Sequence, residues 1–245
     1  MAFTSFRFIV FLVLAAAAYF LTPKRCRWVT LFVANYVFYF ISGGKIFVYL
    51  LATTITTYLA TVKLRDMAAK NKIAFNEAKA ELDKEGKKAW KAAFAKKKKR
   101  ILIPTVLFNF GILAVLKYSG FVTSNINALF GKFGIGAELP VFEFLLPLGI
   151  SFYTFQSMGY IIDVYRDKQP AQKNLFKLAL FVSFFPQLIQ GPISRYSSLA
   201  ESLYQEHDFN KKEVVFGLER ILWGYFKKLV VADRIMVAIK PLIAA

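Results

Sequence analysis

The chain has 245 residues, of which 57% are hydrophobic and 17% aromatic, with 27 Phe and 12 Tyr. A mean hydropathy of +0.45 is too high for a soluble domain of this length, and several apolar stretches approach the roughly 20 residues that cross a hydrocarbon core. The net charge of +18 would suggest nucleic acid in a soluble protein, but here the basic residues gather between apolar spans. That pattern argues for basic loops facing anionic membrane lipid and against nucleic acid as a partner.

The first apolar stretch, residues 6–21, ends at Thr22-Pro23. Only Arg7 charges its front, and Lys24, Arg25 and Arg27 lie behind it, the reverse of a secretory signal. It reads as a retained span. Cys26 is the one cysteine, so no intrachain disulfide and no cysteine metal cluster is possible. Residues 28–41 form a second span that ends at Ser42-Gly43-Gly44, and residues 45–62 a third. Residues 63–100 then hold fourteen Lys/Arg against five Asp/Glu. The Ala, Lys and Glu content of "NEAKAELDKEGKKAWKAAFAKKKKR" favours a basic cytoplasmic loop or helix with charged pairs three and four apart. Trp90 and Phe94, four apart, would lie on the membrane surface. The segment is an insertion within a single domain, residues 1–245.

A fourth span covers residues 101–118, with Pro104 in its first turn. Residues 120–140 read as a loop or interfacial turn, and their "GKFGIG" lacks the strand and spacing of a phosphate loop. The fifth span, residues 141–162, carries Glu143, Pro147, Gly149, Ser151, Gln156 and Ser157 and ends at Asp163. Polar residues inside a span face the bundle or a cavity, and Pro147 with Gly149 predicts a kink.

Placing residues 63–100 inside puts the N-terminus outside, and the basic clusters at 23–27 and 163–173 then also fall inside. The stretch "FFPQLIQGPISRY" (184–196) complicates this count. It sets Pro186 in an apolar run, adds Gln187 and Gln190, and closes on Gly191-Pro192. If residues 174–190 crossed fully, Arg195, Lys211 and Lys212 would lie outside. If the segment enters and turns back, they stay inside. Irregular backbone at membrane depth is tolerated where protein buries it or where it lines a watery cavity. A plain helix end near the interface is the alternative. The fold expected is all-α, a polytopic transmembrane helical bundle with a broken or re-entrant helix. An interfacial helix leading into a short final span accounts for residues 211–245.

His207, the single histidine, sits between Glu206 and Asp208 in a polar stretch and reads as a surface residue. No Gly-x-Ser-x-Gly elbow and no metal-ligand spacing is present. The residues alone therefore give a polytopic membrane protein with a polar intramembrane site, without a catalytic residue.

Three motifs take the reading further. They are "LPLGISFYTFQSMGYIIDVYRD" (146–167), "FFPQLIQGPISRY" and "GLERILWGYFKKLVVADR" (217–234), in that order. Together they resemble the membrane-bound O-acyltransferase family, in particular its bacterial branch that acylates cell-surface polysaccharides. That branch includes alginate O-acetyltransferases and the D-alanine transfer protein of teichoic acids. Its members are usually much longer, with catalytic histidines in a Trp-His segment and a later apolar helix. His207 matches neither context, so the expectation is the N-terminal part of such an enzyme, truncated before its catalytic histidines and inactive alone.

The resemblance implies transfer of an acyl group, expected here to be acetyl, to a polysaccharide hydroxyl. The acyl donor would be a co-substrate of the acyl-CoA or acyl-carrier thioester kind, with no bound cofactor and no metal. Implied partners are the polysaccharide acceptor, an extracytoplasmic acyltransferase and a cytoplasmic acyl-carrier protein, in the bacterial cytoplasmic (inner) membrane. Within this chain Gln156, Asp163, Gln187, Gln190, Arg195 and Tyr196 would line the cavity, and Pro186, Gly191 and Pro192 would shape its backbone. Two other readings stay open: a transporter or channel for an acyl-linked or lipid-linked substrate, and a non-catalytic membrane assembly subunit.

Overall fold

Side-chain caps set where several helices begin. In the computed structural model, which describes residues 4–43, 47–134, 139–140 and 146–244, α1 (Phe6–Leu21) starts at Ser5, whose hydroxyl accepts from the Phe8 N–H. A short 3₁₀ turn, Lys24–Cys26, leads into α2 (Arg27–Gly43). Two long helices follow, α3 (Phe47–Ala78) and α4 (Lys84–Lys132), each long and apolar enough to cross a membrane. Asp83 caps α4, its Oδ1 accepting from the Gly86 N–H at 2.6 Å. The rest is short: α5 (Ile150–Tyr165), α6 (Leu175–Ser183), α7 (Phe185–Gln190), α8 (Tyr196–Tyr204) and α9 (Lys211–Tyr225). A π-helical stretch, Phe226–Ala232, then joins α9 to α10 (Asp233–Ala244). No strand occurs among the described residues.

Three boundaries differ from the sequence reading. First, α3 runs past residue 62 into the basic segment, and α4 joins the rest of that segment to the fourth span. The Ala-, Lys- and Glu-rich stretch has high helix propensity, so polarity changes along the axis without ending the helix. Pro104 consequently lies inside α4, where the Arg100 carbonyl receives no helical bond from it. Second, residues 120–132 are helical and not a loop. Third, the kink expected at Pro147 and Gly149 is a helix start. Gly149 is the N-cap of α5 with φ 70°, and Ile150 begins the helix. Glu143 lies outside the described residues.

Residues 28–205 form one packed unit. α3 is its centre, packing against α4, α5 and α6, while α5 also meets α7 and α8. Phe38, Tyr153, Tyr160, Leu178, Leu180 and Phe181 are fully buried there. Thr53, Thr57 and Thr61 recur every four residues on one side of α3, and all three are buried with Thr54. Thr54 donates to the Leu50 carbonyl at 2.8 Å and Thr61 to that of Thr57 at 2.9 Å, so each hydroxyl is satisfied within its own helix. Asn109 on α4 ties the two long helices, its Nδ2 donating to Thr56 Oγ1 at 3.2 Å.

Residues 4–27 with 206–244 form a second unit. Arg27 organises it. The side chain is buried, donates from Nε to the Thr22 carbonyl at 3.1 Å and from a guanidinium nitrogen to the His207 carbonyl, and lies against the Tyr19 and Phe20 rings. Lys24 pairs with Asp208 and holds that carboxyl below the usual carboxylate range. The His207 side chain is exposed.

At the start of α5 the backbone of another element comes close. A Cβ added to Gly149 would stand 2.7 Å from the Leu188 carbonyl oxygen, at a left-handed φ that L side chains resist. Gly149→Ala should therefore lower stability by about 1–3 kcal/mol. Gly159→Ala, with nothing within 4 Å of its Cβ, should leave it nearly unchanged. Thermal unfolding of the two variants in the same detergent compares them directly.

Candidate functional site

Gln156, Gly159, Tyr160 and Asp163 fall at helical spacing on one face of α5. That face fronts the extended segment before α8, and a cleft of about 270 Å³ lies between them. Ile193, Ser194, Arg195 and Tyr196 supply its other wall. Four residues singled out in the sequence thus share one cleft: Gln156, Asp163, Arg195 and Tyr196. Gln187, Pro186, Gly191 and Pro192 are not among its walls.

The cleft rests on a braced aromatic cluster. Tyr196 stacks on Tyr160 with centroids 4.4 Å apart and meets Phe181 edge-on at 4.9 Å. Gln172 ties the two tyrosines: its backbone N–H donates to Tyr160 Oη at 2.7 Å and its Nε2 to Tyr196 Oη at 3.0 Å. Tyr204 donates to the Lys177 carbonyl at 2.6 Å. Burial raises the pKa of Tyr196, and burial followed by the neighbouring Tyr196 raises that of Tyr204. Both hydroxyls therefore stay protonated near neutral pH, as donors and not bases. Gln156 donates from Nε2 to the Phe181 carbonyl at 3.1 Å, which fixes the amide and leaves its buried Oε1 without a protein partner. Arg195 is exposed and Asp163 half-buried, so the cleft carries both signs of charge, an amide and a neutral phenol.

α7 is held separately. Phe184 ends α6 and precedes α7, and Pro186 sits in the first turn, where its missing N–H costs least. The freed Phe185 N–H donates to Asn35 Oδ1 of α2 at 2.7 Å. At the other end the Gly191 N–H donates to the Gln187 carbonyl at 2.9 Å. A Cβ at Gly191 would stand 2.7 Å from Gln187 Cα, so the close approach requires glycine although φ is ordinary. The Gln190 side chain lies outside the described residues. Gln187 is 6% exposed, and neither amide atom has a protein partner. The Thr57, Tyr153, Ser157 and Ser183 hydroxyls share that condition, on helices α3, α5 and α6. A buried polar group left without any partner costs about 1–3 kcal/mol.

The sequence reading passed over Asn35, Gln172, Tyr160 and Tyr204. Asn35 had a signal, a lone amide in the apolar run 28–41. Gln172 had none, because its role depends on tyrosines brought to it by the fold. Among the described residues no group of His, Cys, Asp and Glu could hold a metal.

Over 235 residues, 95% of its length, the chain is 34% identical to the "Probable alginate O-acetylase AlgI" of Azotobacter vinelandii and covers 42% of that protein. The Pseudomonas aeruginosa protein of the same name is 32% identical over 95% of this chain and 40% of itself. The "Peptidoglycan O-acetyltransferase" of Helicobacter pylori is 31% identical over 54% of this chain and 29% of itself. The chain spans about two fifths of the length of the alginate O-acetylases it matches. No protein-family model matches it, and no solved structure gives a significant match. The resemblance carried by three motifs therefore extends over nearly the whole chain to bacterial polysaccharide O-acetyltransferases. With these relatives, a 57% hydrophobic composition and two helices able to cross a bilayer, the chain is a membrane protein.

Gln187 allows packing and function to be separated. Gln187→Met keeps the volume and removes two unpartnered polar atoms, so it should stabilise the protein by about 1–3 kcal/mol. Gly191→Val should destabilise it through the contact with Gln187 Cα. Both effects are read from unfolding midpoints in detergent, and a Gln187→Met variant less stable than the parent would show that the amide is satisfied.

Proposed function

We propose that the chain is part of a membrane-embedded O-acyltransferase that transfers an acetyl group to a hydroxyl of a cell-surface polysaccharide. The observation that carries this reading is the match to alginate O-acetylases along 95% of the chain. The polar cleft at α5 and α8 supports it.

The chain sits in the bacterial cytoplasmic membrane with its N-terminus outside and residues 63–100 in the cytoplasm. α6 and α7, of nine and six residues, are each too short to cross the roughly 20-residue core. The segment enters the bilayer and turns back at Gly191-Pro192, which keeps Arg195, Lys211 and Lys212 on the cytoplasmic side. Its irregular backbone is supported by Asn35 and Gly149, as membrane depth demands.

In the reaction the acyl C–S bond of a thioester donor breaks and an ester C–O bond forms to the acceptor. The acceptor proton passes to a general base and then to the departing thiolate. The donor is an acyl-CoA or an acyl-carrier thioester on the cytoplasmic side, where its thiol is released; an acyl-carrier protein inside and an acyltransferase outside are the partners. Within this chain the cleft supplies orientation and charge. Arg195 and the neutral Tyr196 hydroxyl stabilise developing negative charge, while Gln156 Oε1 and Asp163 accept from substrate hydroxyls.

Deleting the gene should remove ester-linked acetate from surface polysaccharide, measured as acetate released by mild base. Arg195→Ala or Gln156→Leu, returned to the chromosome, should lower the ester content about tenfold or more at normal membrane abundance. Acetate unchanged by the deletion would sink the reading. For topology, Lys84→Cys in a Cys26→Ser background should react with an impermeant maleimide only after lysis, and labelling of intact cells would invert the orientation.

A further inference from the structure

A second cleft, of about 360 Å³, opens where the apolar part of α4 gives way to the basic segment. It is built by the C-terminal turns of α3, the N-terminal half of α4 and the end of α5, all within the larger unit. Lys98 lies only about 4.5 Å along the helix from Ile101, where the apolar run begins. The acyl-transfer reading assigns nothing to this cleft.

Its walls are aromatic. Phe75 and Trp90 lie with centroids 6.0 Å apart, and Trp90 Nε1 donates to Asn71 Oδ1 at 3.0 Å, which fixes the indole. Phe94 and Tyr165 flank the Lys98 ammonium at 5.6 and 5.1 Å. Lys98 is 6% exposed, unlike the solvated lysines around it. Of its three N–H donors one goes to Asp167 Oδ2 at 2.8 Å. Asp167 itself is 71% exposed in its side chain and sits at a left-handed φ of 57° just past α5. Its carboxylate caps the ammonium from the solvent side. Asp167 is the one acidic wall residue, Lys91 adds a second cation, and the flanking 63–100 segment is strongly basic.

We propose that this cleft binds a phosphate carried on an organic body. The phosphate takes the place of the Asp167 carboxylate on Lys98, with Lys91 at the rim, and the organic body lies against Trp90 and Phe75. The positive field disfavours a cationic ligand despite the aromatic cage, because an added cation would face two lysines and one carboxylate. Ammonium–phosphate contact is a charge-assisted hydrogen bond and strengthens in a partly desolvated cleft. Two sources carry this chemistry, an anionic phospholipid headgroup at the bilayer surface and a soluble phosphate ester with an aromatic base.

The test uses the full chain in a neutral detergent with Trp28→Phe and Trp223→Phe, so that Trp90 is the one tryptophan, excited selectively over tyrosine. It is titrated separately with dihexanoylphosphatidylglycerol and with adenosine monophosphate, a phosphate ester with an aromatic base that is no part of a thioester donor's thiol arm. A saturable change with the first alone assigns a lipid headgroup, with the second alone a soluble ester, and with both the shared phosphate. Lys98→Met should weaken binding about tenfold or more. Asp167→Asn, which removes the competing carboxylate, should tighten it about threefold. If neither probe gives a saturable change, or if Asp167→Asn fails to tighten binding, the proposal is overturned. The second criterion holds even where Lys98→Met does not fold.

Discussion

A polar group inside this chain has to find its partner within the chain, because most of what surrounds it is apolar. The helices obey that constraint locally and the packed unit obeys it across elements. Thr54 and Thr61 on α3 return their hydroxyls to carbonyls one turn back, so those two buried polar groups are satisfied within their own helix. Asn109 meets Thr56 across α3 and α4, and Tyr39 donates to the Leu148 carbonyl at 3.1 Å. Asn35 takes the Phe185 N–H, one of the donors that a helix start leaves over. Each bond contributes about 1 kcal/mol net, and its absence would cost more than its presence gives.

Against that background the departures stand out. Gln187 is buried among well-paired neighbours with neither amide atom paired to protein, and four hydroxyls on adjoining helices are in the same condition. The chain keeps them although apolar residues of equal volume would stabilise it. Around them the support is rigid: Gly149 against Leu188, Gly191 against Gln187, Gln172 across two tyrosines. A polar interior held by close-packed backbone is what a site needs if substrate groups are to meet fixed dipoles and not mobile ones.

Charge is divided in a similar way. Most of the basic residues are solvated, but Arg27 and Lys98 are buried and structural. Arg27 gathers carbonyls from the α1 terminus and from His207 within its unit. Lys98 is enclosed by two rings and one carboxylate. Composition cannot distinguish these two from their neighbours in sequence, because a cation in a basic run becomes structural only when other elements close over it.

The sequence by itself determined the helical class, the apolar stretches and the motif neighbourhood of the site, since each depends on residues within a few positions of one another. It also put Gln156 and Asp163 on the fifth span, and a turn at Gly191-Pro192. It misjudged the length of α3 and α4, because polarity was taken as a helix boundary when propensity governs continuity. It read Gly149 as a kink, since only the position of Leu188 shows that glycine is needed to begin α5 there. The pairing of Tyr196 with Tyr160 and Gln172, the reach of Asn35 to Phe185, and the enclosure of Lys98 were decided by tertiary structure alone. Those partners lie 24, 150 and 69 residues apart in the chain, and no local pattern encodes a contact whose geometry exists only after α2, α4, α5 and α8 have packed.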